Sequence, residues 1–413
     1  MQYSLIRFLD VYLGKPLCVL FFLLSNVIPR PAKESGLDAA RKILVVRFWG
    51  IGSIILLSPT LAAIRRKFPQ AEITFLTLER NAGLYEYQGL FDTVRYLPLK
   101  SLSRFPRDCV TLLRALRREH FDLVIDCEQF CRFSTLLSFL TLAPYRVGFA
   151  TPHQLRGLLY TLPVPYDDVK HVTQVFMDLA KTLGASPGPH LIPLQATDDE
   201  RQEVDRLFQA HHLSGHHLLI GFNINCGQYA VERRWPQEYF AELADALIAD
   251  CNAKILFFGG AEDEAYVRQA ILSVKRKDSV VDFAGKLTLH QLSYAAEQCT
   301  LFVSNDSGPL HLAVAADVPT VSFFGPETPY KYGPRGWPHV VLYKDLPCSP
   351  CMSVFGAKSV NCTIGVRCLR TITPAEAYNK IRMLLEDLEV SRTGPAQASL
   401  SGREHRQEGL PLF

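Results

Sequence analysis

Asp306, Ser307, Gly308, His311 and Thr328 stand within one stretch, Ser304–Pro334, which reads SNDSGPLHLAVAADVPTVSFFGPETPYKYGP. An apolar run, Cys299–Val303, leads into the turn Asn305-Asp306-Ser307-Gly308-Pro309. A small-residue helix is predicted over Leu310–Ala316 and a strand over Thr320–Phe324. A second turn, Gly325-Pro326-Glu327-Thr328-Pro329, follows. Two strand-to-loop transitions therefore flank one short helix. In open α/β sheets the crevice beyond the C-terminal strand ends is where ligands bind. A helix N-terminus preceded by Gly and a hydroxyl also suits an anion, because its free N–H groups point outward and its dipole favours negative charge. A second glycine-bearing turn, Gly50-Ile51-Gly52-Ser53, lies between the strand Lys42–Phe48 and a helix Ile54–Phe68. It is not the full G-x-G-x-x-G dinucleotide fingerprint, because Ile55 occupies the third glycine position.

These turns need sheets to hold them. Lys42–Phe48 is a continuous apolar run rich in Val and Ile, the pattern of a parallel strand buried on both faces. Strands are expected at Ala71–Thr77, Val94–Leu97, Asp122–Asp126 and Tyr145–Phe149. Helices are expected at Pro106–Glu119, Phe133–Leu142 and Lys170–Leu183. That alternation predicts a doubly wound α/β domain. After Gly184–Pro193 and a helix at Thr197–His211 the rhythm restarts, with strands at Leu218–Phe222, Lys254–Phe258 and Val280–Phe283. The expected organisation is an N-terminal segment and linker over 1–38 and a first domain over 39–190. A second domain covers 191–389 with a Cys-bearing insert at 345–370, and a disordered tail covers 390–413. A chain of 413 residues exceeds one ordinary core and suits two domains with a cleft between them.

The formal net charge is only +3, and no basic patch interleaved with aromatics occurs, so nucleic acid is not an expected partner. The N-terminus is apolar over Ser4–Leu13 and Leu17–Leu24 but is interrupted by Arg7, Asp10 and Lys15. Its uninterrupted run falls short of the roughly 18 residues of a spanning helix. An interfacial helix or helical hairpin docking on a membrane surface is expected, with Arg30 and Lys33 near the headgroups. The competing reading is a helix packed on the protein's own core. Of 11 Cys, Cys348, Cys351, Cys362 and Cys368 cluster. Only one C-x₂-C pair is present where a zinc ribbon has two. A structural metal site, a disulfide and free thiols all stay open, with free or structurally paired thiols favoured over zinc. No cofactor is expected.

From about Lys42 to Leu388 the chain resembles glycosyltransferase family 9, the family of bacterial heptosyltransferases. The family pattern is D-[ST]-G-x-x-H-L-A-x-A, a Pro-initiated strand and F-G-P-T-x-P. It is met by Asp306-Ser307-Gly308, His311-Leu312-Ala313, Ala315, Pro319, Phe324-Gly325-Pro326 and, after Glu327, Thr328. Arg47, Gly52, Arg234-Trp235-Pro236 and Gly285-Lys286 add to the match. The resemblance implies a GT-B-like fold, two Rossmann-like doubly wound domains facing a cleft, with acceptor in the first and nucleotide-sugar in the second. It implies an inverting, metal-independent transfer of a heptose or related sugar to a lipopolysaccharide-type or other lipid-linked glycan acceptor. The place would be the cytoplasm, peripherally on the inner face of the plasma membrane.

Within that resemblance, Ser307, Gly308, the N–H groups near Leu310, and His311 would cradle the diphosphate, with Gly325 and Thr328 as a second wall. Arg234, ahead of Arg233, would grip the pyrophosphate, in place of the family's Lys. Glu264, with Glu262 competing, would bind ribose hydroxyls, and Gly52, Lys286 and Asp306 complete the substrate set. Each has a plainer reading: Asp306 as a helix cap, His311 as packing, Arg234 as a solvated charge, and the glycines as turn formers. The family's base is the Asp of a G-D turn, and here that position is Ser53. A hydroxyl is no general base unaided. Asp126 and Glu128, past the DLVID strand, are the nearest carboxylates by topology, with loop capping as the alternative. Ser53 also supports a second function class, a non-catalytic relative that binds a nucleotide-sugar or glycan. A sugar-nucleotide epimerase is disfavoured because no acid/base set for one can be located.

Overall fold

Runs rich in Val, Ile, Leu and Phe form strands buried on both faces, because helices cover each side of a parallel sheet. The structure is a computed structural model and describes residues 2–25, 36–86, 88–97, 103–188, 190–215, 218–227, 231–353 and 360–393. It opens with α1 (Gln2–Leu24). The first sheet follows with β1 (Lys42–Val46), α2 (Ile51–Lys67), β2 (Glu72–Leu78), β3 (Thr93–Leu97), α3 (Phe105–Arg118), β4 (Leu123–Asp126), α4 (Arg132–Leu140), β5 (Tyr145–Ala150), β6 (Leu162–Pro165) and α5 (Val172–Thr182). Then come α6 (Asp198–Ala210), β7 (Leu219–Asn223), α7 (Gln237–Cys251), β8 (Lys254–Phe258), α8 (Glu264–Ser273), β9 (Val280–Asp282), α9 (Leu289–Glu297), β10 (Leu301–Asn305), α10 (Gly308–Ala315), β11 (Thr320–Phe324), α11 (Pro329–Tyr332), β12 (His339–Tyr343), α12 (Arg367–Arg370) and α13 (Pro374–Thr393).

The strands form two parallel six-stranded sheets, β3-β2-β1-β4-β5-β6 and β12-β11-β10-β7-β8-β9. Read from the opposite edge, the second order repeats the first: third, second, first, fourth, fifth, sixth strand. That is the doubly wound dinucleotide-binding order, whose direction reverses between the first and fourth strands. In the first sheet the reversal lies between β1 and β4, where Val46 pairs with Asp126. In the second it lies between β7 and β10, where Asn223 pairs with Ser304. Each reversal opens a crevice at the C-terminal strand ends, and the candidate residues gather at these two places.

Two strands are not legible in the sequence. β6 carries Pro163 and Pro165, which cannot donate to a ladder and are tolerated because the strand is an edge. β12 is the opposite edge of the other sheet. At the N-terminus the chain forms one helix through Pro16 rather than a hairpin. It lies against α4, with Cys18, Leu136, Phe139 and Leu159 as a small buried cluster. Among the described residues no helix is long and apolar enough to cross a membrane. Most of the linker around Pro29–Asp38, with Arg30 and Lys33, falls outside the described residues. So does the tail beyond Thr393, while Val390–Thr393 continue α13 and correct the expected tail start.

Candidate functional site

The second crevice is built by amides that the sequence reading passed over. Asn223 Nδ2 donates to Ser307 Oγ at 2.8 Å, to Ser304 Oγ at 3.0 Å and to the Asn225 carbonyl at 3.1 Å. Asn305 Oδ1 accepts the Trp235 N–H at 2.9 Å, and its Nδ2 donates to the Ile224 carbonyl at 2.8 Å. These bonds tie the β7, β10 and Trp235 loops into one frame. A signal existed, since Asn residues end two runs that are otherwise apolar. Trp235 is fully buried and stacks on Phe323 with centroids 4.1 Å apart, so it packs rather than meeting ligand. Ser307 is the N-cap of α10 without a side-chain cap bond, so the N–H groups at that end stay unused by its hydroxyl.

Asp306 does not cap α10. Its carboxylate receives Arg233 Nη1 at 3.2 Å, and Arg233 Nη2 donates to the Cys226 carbonyl at 2.8 Å. Burial alone would lower Arg233, but the charge and hydrogen bond of Asp306 together with the Cys226 and Glu327 charges outweigh it and raise the guanidinium above its ordinary value. Arg234 turns the other way. It lies 3.7 Å from Asp263 and 4.2 Å over the Tyr266 ring. Of the two arginines, Arg233 is the one brought to Asp306. Glu264 lies against Gly285, whose φ of +71° and lack of a Cβ make room for the carboxylate. Lys286 is exposed and donates to the Asp282 carbonyl at 2.7 Å instead of joining the others.

Gly325 and Thr328 sit on the loop after β11. A Cβ on Gly325 would meet Leu369 at 2.7 Å and Cys368 Sγ at 2.9 Å, so the turn needs glycine for this close packing. Cys351 and Met352 donate their N–H groups to the Pro326 carbonyl at 3.0 and 2.8 Å. The Cys-bearing insert thus buttresses the second turn. All its cysteines are free thiols, and no metal-holding group occurs among the described residues. Thr328 Oγ1 accepts the Tyr330 N–H at 3.3 Å and so caps the short α11. Glu327, which was not singled out, is buried and accepts the Thr328 N–H at 3.2 Å.

In the first crevice both expected carboxylates are fully buried. Asp126 Oδ2 accepts Tyr160 Oη at 2.6 Å, Ser134 Oγ at 2.7 Å and Arg156 Nη2 at 3.0 Å, while Oδ1 accepts the Glu128 N–H at 2.9 Å. Glu128 Oε1 accepts the N–H groups of Phe48 at 2.6 Å and Trp49 at 3.1 Å, and Oε2 meets Arg47 Nη1 at 3.5 Å. Burial raises the Glu128 carboxyl above its ordinary range against the pull of Arg47 and the two N–H groups. Every one of these bonds is internal. Glu128 thereby shapes the turn before Gly50, and Asp126 holds Arg156.

The crevices face each other through glycines. A Cβ on Gly52 would sit 2.8 Å from the His311 ring and 3.1 Å from Gly308 Cα, so the N-terminal turns of α2 and α10 abut. Ser53 is half-buried on the first turn of α2. His311 is buried at this seam. Farther along it, Lys331 donates to Tyr166 Oη at 2.6 Å and pairs with Asp168, and His171 Nε2 meets the Gly333 carbonyl at 3.1 Å. Burial, then the Arg335 charge, lowers His171 to about 4. Such a crossing fixes the two halves around Gly52, Ser307, Gly308 and His311. Two helix N-termini and the half-buried Arg233 there offer a developing anion fixed positive charge.

A sequence profile described as Glycosyltransferase family 9 (heptosyltransferase) matches residues 109–357. The chain belongs to glycosyltransferase family 9. It is similar to lipopolysaccharide heptosyltransferase 2 of Salmonella typhimurium, 27% identical over 70% of this chain and 84% of that relative. Among solved structures it is similar to a family 9 glycosyl transferase from Veillonella parvula, with TM-score 0.70 and 25% identity. That match covers 86% of this chain and 100% of the other. The E. coli ADP-heptose lps heptosyltransferase II superposes with TM-score 0.66 at 22% identity, covering 84% of this chain and 99% of that one. The fold is thus of the GT-B type, with two Rossmann-like units facing a cleft.

Proposed function

We propose that the protein moves a heptose or related sugar from a nucleotide-sugar to a lipopolysaccharide-type or other lipid-linked glycan acceptor. Inversion, independence from metal and peripheral contact with the inner face of the plasma membrane are part of the proposal. The observation that carries it is the meeting of the Asp306-Ser307-Gly308 end of α10 with the Gly52 turn, beside Arg233. The names of the relatives, lipopolysaccharide and ADP-heptose heptosyltransferases, support the substrate class. On this reading the diphosphate lies against the N-terminus of α10, with His311 and Arg233 taking up charge as it leaves. Arg234, Glu264, Gly325 and Thr328 frame the rest of the donor. Lys286 is exposed beyond that frame. Gly52 and Ser53 face the acceptor.

The acceptor proton is assigned to Glu327. This carboxylate stands where the family pattern has Thr, while Ser53 stands where the pattern has a carboxylate. Burial, then the Glu327 charge, holds Tyr332 well above the ordinary tyrosine value, and the same charge reaches Arg233 in the donor crevice and Tyr166 across the seam. The acceptor oxygen would give its proton to Glu327 and bond to the anomeric carbon. The bond to the diphosphate breaks, and its electron pair leaves with the nucleotide. Asp126 and Glu128 serve as positioning residues.

The test is a donor panel. Nucleotide release is followed with and without candidate acceptors, with chelator added, and with Asp306→Ala. Acceptor-dependent release that survives chelator and falls in the variant is expected. A thermal shift with a nucleotide but no release would favour the non-catalytic binding relative. Neither release nor shift would remove the enzyme reading.

A further inference from the structure

α1 has two unlike faces. Asp10, Gly14, Cys18 and Phe21 point into the protein. Asp10 accepts the N–H groups of Phe133 at 2.7 Å and Arg132 at 3.2 Å and so caps α4. Gly14 lets the Arg132 side chain pass, since a Cβ there would come within 2.7 Å of it. Phe21 meets Phe139 with ring centroids 5.7 Å apart. The helix therefore runs along α4 and is tied to it from Asp10 to Phe21. The other face is apolar and exposed: Leu13 is 53% exposed, Leu20 49% and Leu23 58%.

Two neighbours extend that face. Leu142, just past α4, and Leu155, at the turn packed under α1, are exposed and hold φ values of +65° and +60°. A leucine in the left-handed region is strained, and exposing it to water brings no burial in return. Cations border the patch. Lys15 is exposed on α1, Arg117 donates to the Leu140 carbonyl at 2.7 Å, and Arg146 lies 5.4 Å over the Phe139 ring. The charge of the whole half agrees. Residues 1–190 carry 23 Lys and Arg against 15 Asp and Glu, a net +8, whereas the remainder carries −5.

We infer that the outer face of α1, with Leu142 and Leu155, docks on a bilayer surface containing anionic phospholipid. The inference rests on the reading that the acceptor is lipid-linked. Apolar side chains entering the headgroup boundary with cations at the phosphates are the anatomy of an interfacial helix. The locked inner face keeps α1 lying flat rather than spanning. A second copy is a poorer occupant, because it would set one +8 half against another. Asp10 joins the docking helix to the start of α4, directly after the Asp126–Glu128 loop. A docked α1 thereby holds the acceptor crevice at a constant height above the headgroups.

Full-length protein is sedimented with vesicles of phosphatidylcholine alone or mixed with phosphatidylglycerol, at low and high salt. Binding to the mixed vesicles at least about tenfold above the neutral ones, weakening with salt, is expected. Leu13→Glu/Leu20→Glu/Leu23→Glu should lose binding about tenfold or more, with the melting temperature and turnover on a water-soluble acceptor fragment unchanged. Should that variant fold poorly, Leu142→Ser/Leu155→Ser gives the same readout with a smaller loss. Wild type that ignores anionic vesicles, or a folded variant that still binds them, overturns the proposal. So does light scattering that shows a dimer dissolved by the variant. Turnover without vesicle binding removes only the docking inference, and vesicle binding without turnover removes only the glycosyltransferase reading.

Discussion

Replacing Asp126 by alanine separates a positioning residue from a base. The carboxylate is fully buried and receives Arg156, Tyr160 and Ser134 on one oxygen and the Glu128 N–H on the other. Its removal strands the Arg156 guanidinium, which is itself fully buried. Breaking a buried ion pair from one side costs about 3–5 kcal/mol, because the remaining charge is uncompensated. For a unit of about 190 residues, 1 kcal/mol moves the midpoint roughly 2–4 °C, so a fall of about 6–20 °C is expected from scanning calorimetry. Asp126→Asn keeps the shape and loses the charge, so its fall should be smaller but in the same direction. Turnover of either variant, measured well below its transition, should stay within about tenfold of wild type. A general base would instead lose about 10²–10⁴-fold in rate. An unchanged midpoint together with a loss of that size would refute the positioning argument and return Asp126 to the chemistry.

Arg233→Ala should raise the donor KM and leave Asp306 unpaired, a loss of roughly tenfold or more in kcat/KM, while Arg234→Ala should cost clearly less; equal effects would contradict the pairing seen here. Glu327→Gln should lower kcat by about 10²–10⁴-fold, and Ser53→Asp/Glu327→Thr should recover part of the rate. A Gln variant with wild-type turnover eliminates Glu327 as base. Gly52→Ala pushes a methyl into His311 and Gly308, an overpacking of about 1–3 kcal/mol, and should lower both the midpoint and turnover; a silent variant would mean that the seam is looser than its contacts. Burial lowers His171 and His339 to about 4, below the ordinary 6.5, so the folded state binds fewer protons and stability falls as pH drops from 6.5 towards 4. For His171 the ceiling is about 3 kcal/mol, and His171→Gln should flatten the urea midpoint across that window.

Much of this protein is legible along the chain. Continuous apolar strands, glycine turns at their ends and a restarting α/β rhythm specify two parallel sheets, because only a sheet covered on both faces buries such runs. The same local logic located Ser304–Pro334, since a turn between strand and helix is written in adjacent residues. The edge strand β6 was lost because Pro163 and Pro165 remove the signal, and pairing in parallel sheets is between distant segments.

What tertiary structure alone decided is which charges are spent. Asp126 and Glu128 look available in sequence, yet each meets partners from segments tens of residues away. Arg233 and Arg234 are adjacent in sequence but diverge by geometry, one to Asp306 and the other to Tyr266. Whether α1 belonged to the protein or to its surroundings was equally undecidable from its apolar content. Its inner face is set by α4, and its outer face leaves Leu13, Leu20 and Leu23 exposed. A side chain's chemistry is local, but its availability depends on what long-range packing brings within a hydrogen bond of it.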